Sequence, residues 1–158
     1  MLPEIIKEFK DRDDVLFLIV GDGPERANLE SRVTSYELQN RVRLESSIPN
    51  NKVSSYLAAA DIYLMPSEEE GMPNALLEAM AAGAPFVASD VAAVREMTPL
   101  AAVEFIVPYG DVSAFSDKIK KLLADEELRK HISAEEQEWV KQYDVSVIAP
   151  QFLKLFQE

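Results

Sequence analysis

The hydrophobic positions of this chain follow two alternating rhythms. Short runs rich in β-branched, aliphatic and aromatic residues read as strands at Val15–Val20, Val42–Glu45, Ile62–Met65, Phe86–Ser89 and Val103–Val107. The first of them, VLFLIV, is apolar throughout, which suits a strand covered on both faces by helices. Between the runs the apolar positions recur at helical spacing. This predicts helices over Pro3–Lys10, Pro24–Glu37, Asn51–Ala60, Pro73–Ala82, Ala92–Met97, Val112–Ala124, Glu126–Gln142 and Val145–Gln157. Strand and helix in alternation, closed by a helical C-terminal third, is the signature of an α/β domain with a parallel sheet.

Turn and cap residues support these boundaries. Pro73 fits the first turn of its helix, where a missing N–H costs nothing, and Gly83 fits the position just past its end. Asp111, in the stretch Asp-Val-Ser-Ala, reads as an N-cap, and Asp144-Val-Ser as another. No internal repeat, low-complexity stretch or long linker divides the 158 residues, so a single domain is expected.

Composition narrows the chemistry more than the fold. The chain is 47% hydrophobic and 28% charged, the balance of a globular protein with a core. Its formal charge of −12 repels the phosphates of nucleic acid and of anionic membranes, so no nucleic-acid partner is expected. There is no cysteine and one histidine, His131. Disulfides, thiolate nucleophiles, Cys-ligated zinc and a Ser-His-Asp triad therefore drop out. His131 lies among charged residues and reads as solvated, while Trp139 and Tyr143 read as packing anchors. The N-terminus MLPEIIKEFKDRDDV is charged throughout, unlike a signal peptide, and no apolar stretch reaches a membrane span. A cytoplasmic chain is expected, any membrane association belonging to a longer enzyme.

Two turns carry candidate chemistry. Gly21-Asp22-Gly23-Pro24 follows the first strand and opens a helix, but the third glycine of a dinucleotide fingerprint would fall at Arg26. A tight strand-to-helix turn is the better reading. The second segment, Pro66–Ser89, runs from an acidic loop through Gly71-Met72-Pro73 into a nearly apolar helix whose one ionisable side chain is Glu78. A carboxylate buried in such a helix needs a partner, since desolvation alone would protonate it; the alternative is that Glu78 simply emerges at the surface. On helical spacing Asn74 and Glu78 share a strip with Ala75 and Ala82, whereas Leu77, Met80 and Ala81 face elsewhere. Glu70 sits in the run Glu68-Glu69-Glu70, which on pattern alone is a solvated loop. Against that, Gly71 permits close backbone approach, and the following helix start presents amides and a positive dipole end to phosphate or sugar oxygens. The loop would also lie at the carboxyl end of a parallel strand, where open α/β sheets bind ligands.

These residues resemble a known family, the retaining glycosyltransferases built from two Rossmann domains (GT-B fold, group 1), in its C-terminal, donor-binding half. The likeness runs from IVGDGPERANLE through ADIYLMPSEEEGMPNALLEAMAAGAPFVASDV and FIVPYGD to the terminal helices, and its most specific part is the E-x7-E pattern of Glu70 and Glu78. It implies a Rossmann-like parallel sheet with flanking helices. It further implies that Glu70 lies at donor-sugar hydroxyls as the catalytic-site acid and that Glu78 accepts from the ribose hydroxyls. Backbone amides around Gly71, Met72 and Asn74 would face the sugar and diphosphate, and Ser47-Ile48 would flank the base. The ligand implied is a nucleotide sugar, with neither cofactor nor metal. A nucleotide-sugar epimerase-like GT-B domain, or a non-catalytic nucleotide-binding or assembly module, is the alternative.

The chain departs from the family pattern in three respects. The family's strand before the first helix, with an Arg and a Lys that hold the diphosphate, is not in this sequence; nor is the N-terminal Rossmann domain that binds the acceptor. The expected partners are therefore a nucleoside diphosphate sugar and that N-terminal domain, with the isolated chain inactive. Ala92-Ala93 stands where the family has Gly-Gly, and Ser46 where it has a glycine near the base. The family's strand order 3-2-1-4-5-6 would leave a gap of about 10 Å between Val15–Val20 and Ile62–Met65, two strand spacings. The expectation is that the sheet repairs itself, either by direct pairing of those two strands or by taking a strand from another copy in a homo-oligomer.

Overall fold

The computed structural model describes residues 1–155. The chain runs α1 (Leu2–Lys7), β1 (Phe17–Val20), α2 (Arg26–Ser35), β2 (Val42–Glu45), α3 (Asn50–Ala58), β3 (Tyr63–Met65), α4 (Asn74–Ala82), β4 (Phe86–Ser89) and α5 (Ala92–Met97). A 3-10 segment, Leu100–Phe105, leads into β5 (Ile106–Val107), followed by α6 (Val112–Ala124), α7 (Glu126–Val140), a 3-10 turn at Lys141–Tyr143 and α8 (Val145–Leu155). The last two residues of the helix expected to reach residue 157 lie outside the described residues.

All strand pairs are parallel, as the alternation of elements requires. β1 pairs with β2, Phe17 opposite Val42 through Val20 opposite Glu45. β3, β4 and β5 form a second sheet in that order, with β4 central. β4 is buried along its whole length, from Phe86 to Ser89, as a strand covered on both faces should be. One continuous core joins the two sheets: Ile5, Ile6 and Phe9 of α1 and its exit, Phe17 of β1, Leu76 and Met80 of α4, Phe105, and Phe115, Ile119 and Leu122 of α6. Phe9 meets Phe17 edge-on, ring centroids 5.5 Å apart.

Several expectations change here. The direct closure of the sheet does not occur, because β1 and β3 do not pair. The run VLFLIV is not covered on both faces: Val15 and Phe17 are buried while Leu16, Leu18 and Val20 are exposed, so one face of β1 lies open, as does its edge away from β2. Most of the strand expected over Val103–Val107 is 3-10 helix; Pro99 starts that turn, its carbonyl accepting from the Ala102 amide, and pairing with β4 begins only at Ile106. Pro73 precedes α4 rather than opening it, as the residue whose carbonyl receives the Leu76 amide at 2.9 Å. Gly83 ends α4 with φ +83°, the left-handed conformation expected of it. Asp111 caps α6 by accepting from the Ala114 amide at 2.9 Å, and Asp144 accepts from the Ser146 amide at 2.8 Å at the start of α8.

Candidate functional site

The carboxyl ends of the strands set out the site. After β3 the chain passes through Pro66–Glu70 to Gly71 and Met72 and enters α4, all of Glu68–Met72 being exposed. Glu70, at the end of the loop, and Glu78, on the second turn of α4, act on one common neighbour. Tyr63 of β3 has its phenol pushed up first by burial and then by the negative charges of Glu70 and Glu78. Two acids eight residues apart thus both bear on the same phenol at the β3–α4 junction.

The turn into α4 is tight. The Asn74 amide donates back to the Met72 carbonyl at 2.9 Å, and the Leu76 and Leu77 amides turn to Pro73. Among the described residues the Gly71, Met72 and Ala75 amides have no such backbone partner, which leaves donors at the positive end of a nine-residue helix. Asn74 itself is exposed, with its side chain available. The sequence placed Ala75 on the Asn74–Glu78 strip but gave its amide no role; only the turn geometry, which engages the Asn74 amide instead, leaves it free.

Glu78 is exposed and makes no ion pair or hydrogen bond among the described residues. The apolar look of α4 arises from its alanines, which tolerate either environment, so a charge on this helix need not be buried. The buried side is Leu76, Ala79 and Met80, and the open strip is Asn74, Ala75, Glu78 and Ala81; the expected pairing of Ala81 with Met80 is thereby corrected. Glu78 also forms part of an open groove of about 700 Å³ between α4 and the end of α7, with Leu77, Ala81, Gln137, Lys141 and Tyr143. Glu70, Gly71, Met72 and Asn74 do not line that groove, so the chain does not gather all these positions into one enclosed pocket.

Ser47 and Ile48 lie on the loop after β2, beside the end of β1. The Ser47 amide donates to the Asp22 carboxylate at 2.7 Å. That bond is the largest cause holding the Asp22 carboxyl below its ordinary range, with Arg26 adding to it. Arg26 donates from Nη1 to Asp22 at 3.1 Å and to the carbonyls of Gly21 and Glu45 at 3.2 Å each. The residue that breaks a dinucleotide fingerprint is therefore a bracket between the first two strand ends.

Other strand ends carry charge as well. Asp90 and Arg95 pair through both guanidinium branches after β4, and Glu68 raises the Tyr109 phenol, first through its charge, bringing the loops after β3 and β5 together. His131 is exposed as expected, and Trp139 and Tyr143 anchor the end of α7 by donating to the carbonyls of Met97 (2.9 Å) and Glu96 (3.3 Å).

Sequence reasoning missed one acid entirely. Glu136 is fully buried on α7, and neither carboxylate oxygen has a hydrogen-bond partner. Burial pushes it up to about 8; the Phe86 backbone N–H eases the charge without meeting hydrogen-bond geometry. The signal was present: Leu128, Ile132, Glu136 and Val140 recur every four residues, which sets Glu136 on the apolar stripe.

No helix among the described residues is long and apolar enough to cross a membrane. A family model described as glycosyl transferases group 1 matches residues 2–139. Among curated proteins the chain is 34% identical to a phosphatidyl-myo-inositol mannosyltransferase of Mycobacterium leprae, covering 99% of this chain and 40% of that protein. It is 28% identical to a 2-deoxystreptamine N-acetyl-D-glucosaminyltransferase of Niallia circulans, covering 96% and 40%. Among solved structures, Staphylococcus aureus TarM in complex with UDP superposes with a TM-score of 0.89 at 21% identity over 99% of this chain and 32% of that one. HepE of Anabaena in complex with UDP and glucose gives 0.86 at 22% identity, over 98% and 44%. The chain thus spans about two fifths of the length of the curated relatives it matches.

Proposed function

Given that the chain belongs to the group 1 glycosyl transferases, we propose that it is the nucleotide-sugar-binding portion of a retaining hexosyltransferase. The observation that carries this reading is the row of unpartnered amides at the start of α4, flanked by two acids, Glu70 and Glu78, that both bear on the Tyr63 phenol. Relatives of the same fold solved with UDP, and in one case with glucose, support a nucleotide sugar as ligand.

In this reading Glu78 accepts from the ribose hydroxyls, and its exposed carboxylate has both oxygens available for them. Glu70 receives hydroxyls of the donor sugar, with the Gly71 and Met72 amides and the Asn74 side chain holding the sugar and diphosphate. Ser47 and Ile48 flank the base. Transfer breaks the bond between the anomeric carbon and the diphosphate oxygen and joins that carbon to an acceptor hydroxyl oxygen, whose proton is released. Negative charge grows on the departing diphosphate, and prearranged donors at a helix start lower that barrier. Binding needs only these elements, whereas transfer needs an acceptor site, so the chain by itself binds without turnover.

Ligand-observed NMR against UDP, GDP, ADP and their sugars tests the assignment, since it detects millimolar binding of about −4 kcal/mol. Selective binding of one nucleotide, weakened in Glu78→Gln, is the expected result. No binding by any of them removes the donor role, and equal binding by the variant removes Glu78 from the ribose; interconversion of sugar epimers would point to an epimerase instead.

A further inference from the structure

The β1–β2 ladder stops just short of the segment placed beside the base. Val20 pairs with Glu45, and one more bond follows, from the Gly21 amide to the Glu45 carbonyl at 3.1 Å. Gly21 then turns with φ +136°, a conformation that suits glycine and takes the chain off the ladder. The next residue is Asp22, and its side chain reaches to the Ser47 amide at 2.7 Å, twenty-five positions along the chain.

The holds on this loop all run to Asp22, the Ser47 and Ser46 hydroxyls adding to the amide bond. Residues 46–48 bridge β2 to α3, which starts at Asn50, and no other backbone N–H or carbonyl in 46–48 has a hydrogen-bond partner among the described residues. Asp22 is in turn fixed by Arg26, whose Nη1 also ties down the Gly21 and Glu45 carbonyls, one at the end of each strand. The bracket therefore joins the rigid ends of two strands to a loop that, among the described residues, is tethered through Asp22 alone.

We propose that Asp22 is a positioning residue for nucleotide-base selection: it sets the height of Ser47-Ile48 above the strand ends and so the width of the space left for the base. The proposal rests on the donor-site reading above. A base slot gains selectivity from how closely its walls are held, and a loop free at 46–48 would accept bases of different size with little preference. The Asp22 carboxylate acts on the loop from outside the slot. Its effect belongs to the base alone, since the diphosphate and ribose contacts lie on the β3–α4 side.

The test compares the affinities of UDP, GDP, ADP and base-free ribose 5-diphosphate for the wild-type chain, Asp22→Ala and Asp22→Asn, together with amide exchange at Ser47. The wild type is expected to prefer one nucleotide over the base-free ligand. Asp22→Ala should lose about tenfold of that preference while binding ribose 5-diphosphate unchanged, and its Ser47 amide should exchange faster. Asn retains an oxygen at the same place, so Asp22→Asn should restore both. An Ala variant with wild-type preference, or with its Ser47 amide equally protected, overturns the positioning role alone. So does a variant that loses the base-free ligand to the same extent, since that is general loosening of the fold. Wild-type protein that binds none of the four overturns the donor-site reading and the positioning role with it.

Discussion

Glu136 and Glu78 show how differently one residue type behaves on two neighbouring helices. Glu78 stands in water and keeps an ordinary carboxylate's freedom to accept hydrogen bonds; Glu136 is enclosed without a partner and holds its proton up to about pH 8. The consequence for stability has a definite sign. An unfolded chain releases this proton near 4.5 and the folded one near 8, so between those values the native state binds more protons and stability falls as pH rises. The stabilisation is complete below about 4.5 and gone above about 8, a loss of a few kcal/mol. Urea unfolding at successive pH values should show this decline in the wild type and its absence in Glu136→Gln; parallel curves would disprove it. For Glu78, a charge-assisted bond to ribose contributes about 1.5–3 kcal/mol. Glu78→Gln should therefore weaken nucleotide binding roughly tenfold to hundredfold, as read by titration, with an unchanged unfolding curve because nothing in the fold leans on the charge.

Element boundaries depend on a few groups at helix ends. Asp111 satisfies one of the orphan amides of α6, a thirteen-residue helix that supplies Phe115, Ile119 and Leu122 to the core. Asp111→Ala should lower stability by about 1 kcal/mol in chemical denaturation. Gly83 closes α4 under tighter constraint. Its φ of +83° disfavours any side chain, and a Cβ there would meet Gln137 Nε2 at 2.9 Å and Ser133 Oγ at 3.0 Å. Ser133 also donates to the Gly83 carbonyl at 2.9 Å, so the end of α4 and the middle of α7 are held as one unit. Gly83→Ala should cost about 1–3 kcal/mol, and thermal unfolding would reveal it. Because α4 carries Glu78, the same variant should loosen nucleotide binding as well, which an intact affinity would contradict.

On the scale of the molecule, two parallel sheets share one core yet leave the edges of β1 and β3 unpaired. Phe17 and Gly21 send their amides to β2, so by the alternation of a parallel ladder the amides of Leu18 and Val20 point the other way, beside their exposed side chains. An open, apolar strand edge pairs readily with another chain. Sedimentation velocity should show association that rises with concentration, and Leu18→Lys should suppress it without lowering the melting temperature, since Leu18 is already exposed. A monomer at all concentrations would show that the edge is inert. A net charge of −12 opposes such association, so added salt should promote it.

The sequence by itself determined the order and type of nearly every element, because hydrophobic period, caps and turn glycines are local properties: α5, α6, β2 and β4 fall where their patterns end. It also set apart Glu70 and Glu78, since their spacing and surroundings are written along one segment. Tertiary structure alone decided what depends on neighbours far along the chain. Leu18 is exposed and Glu136 buried because of what packs against each, not because of what they are. Asp22 looks like an ordinary turn residue until the β1–β2 pairing brings Ser47, twenty-five residues away, within reach of its carboxylate. Periodicity reports which face of an element avoids water; only the assembled sheets determine which faces are covered and which amides are left to be held.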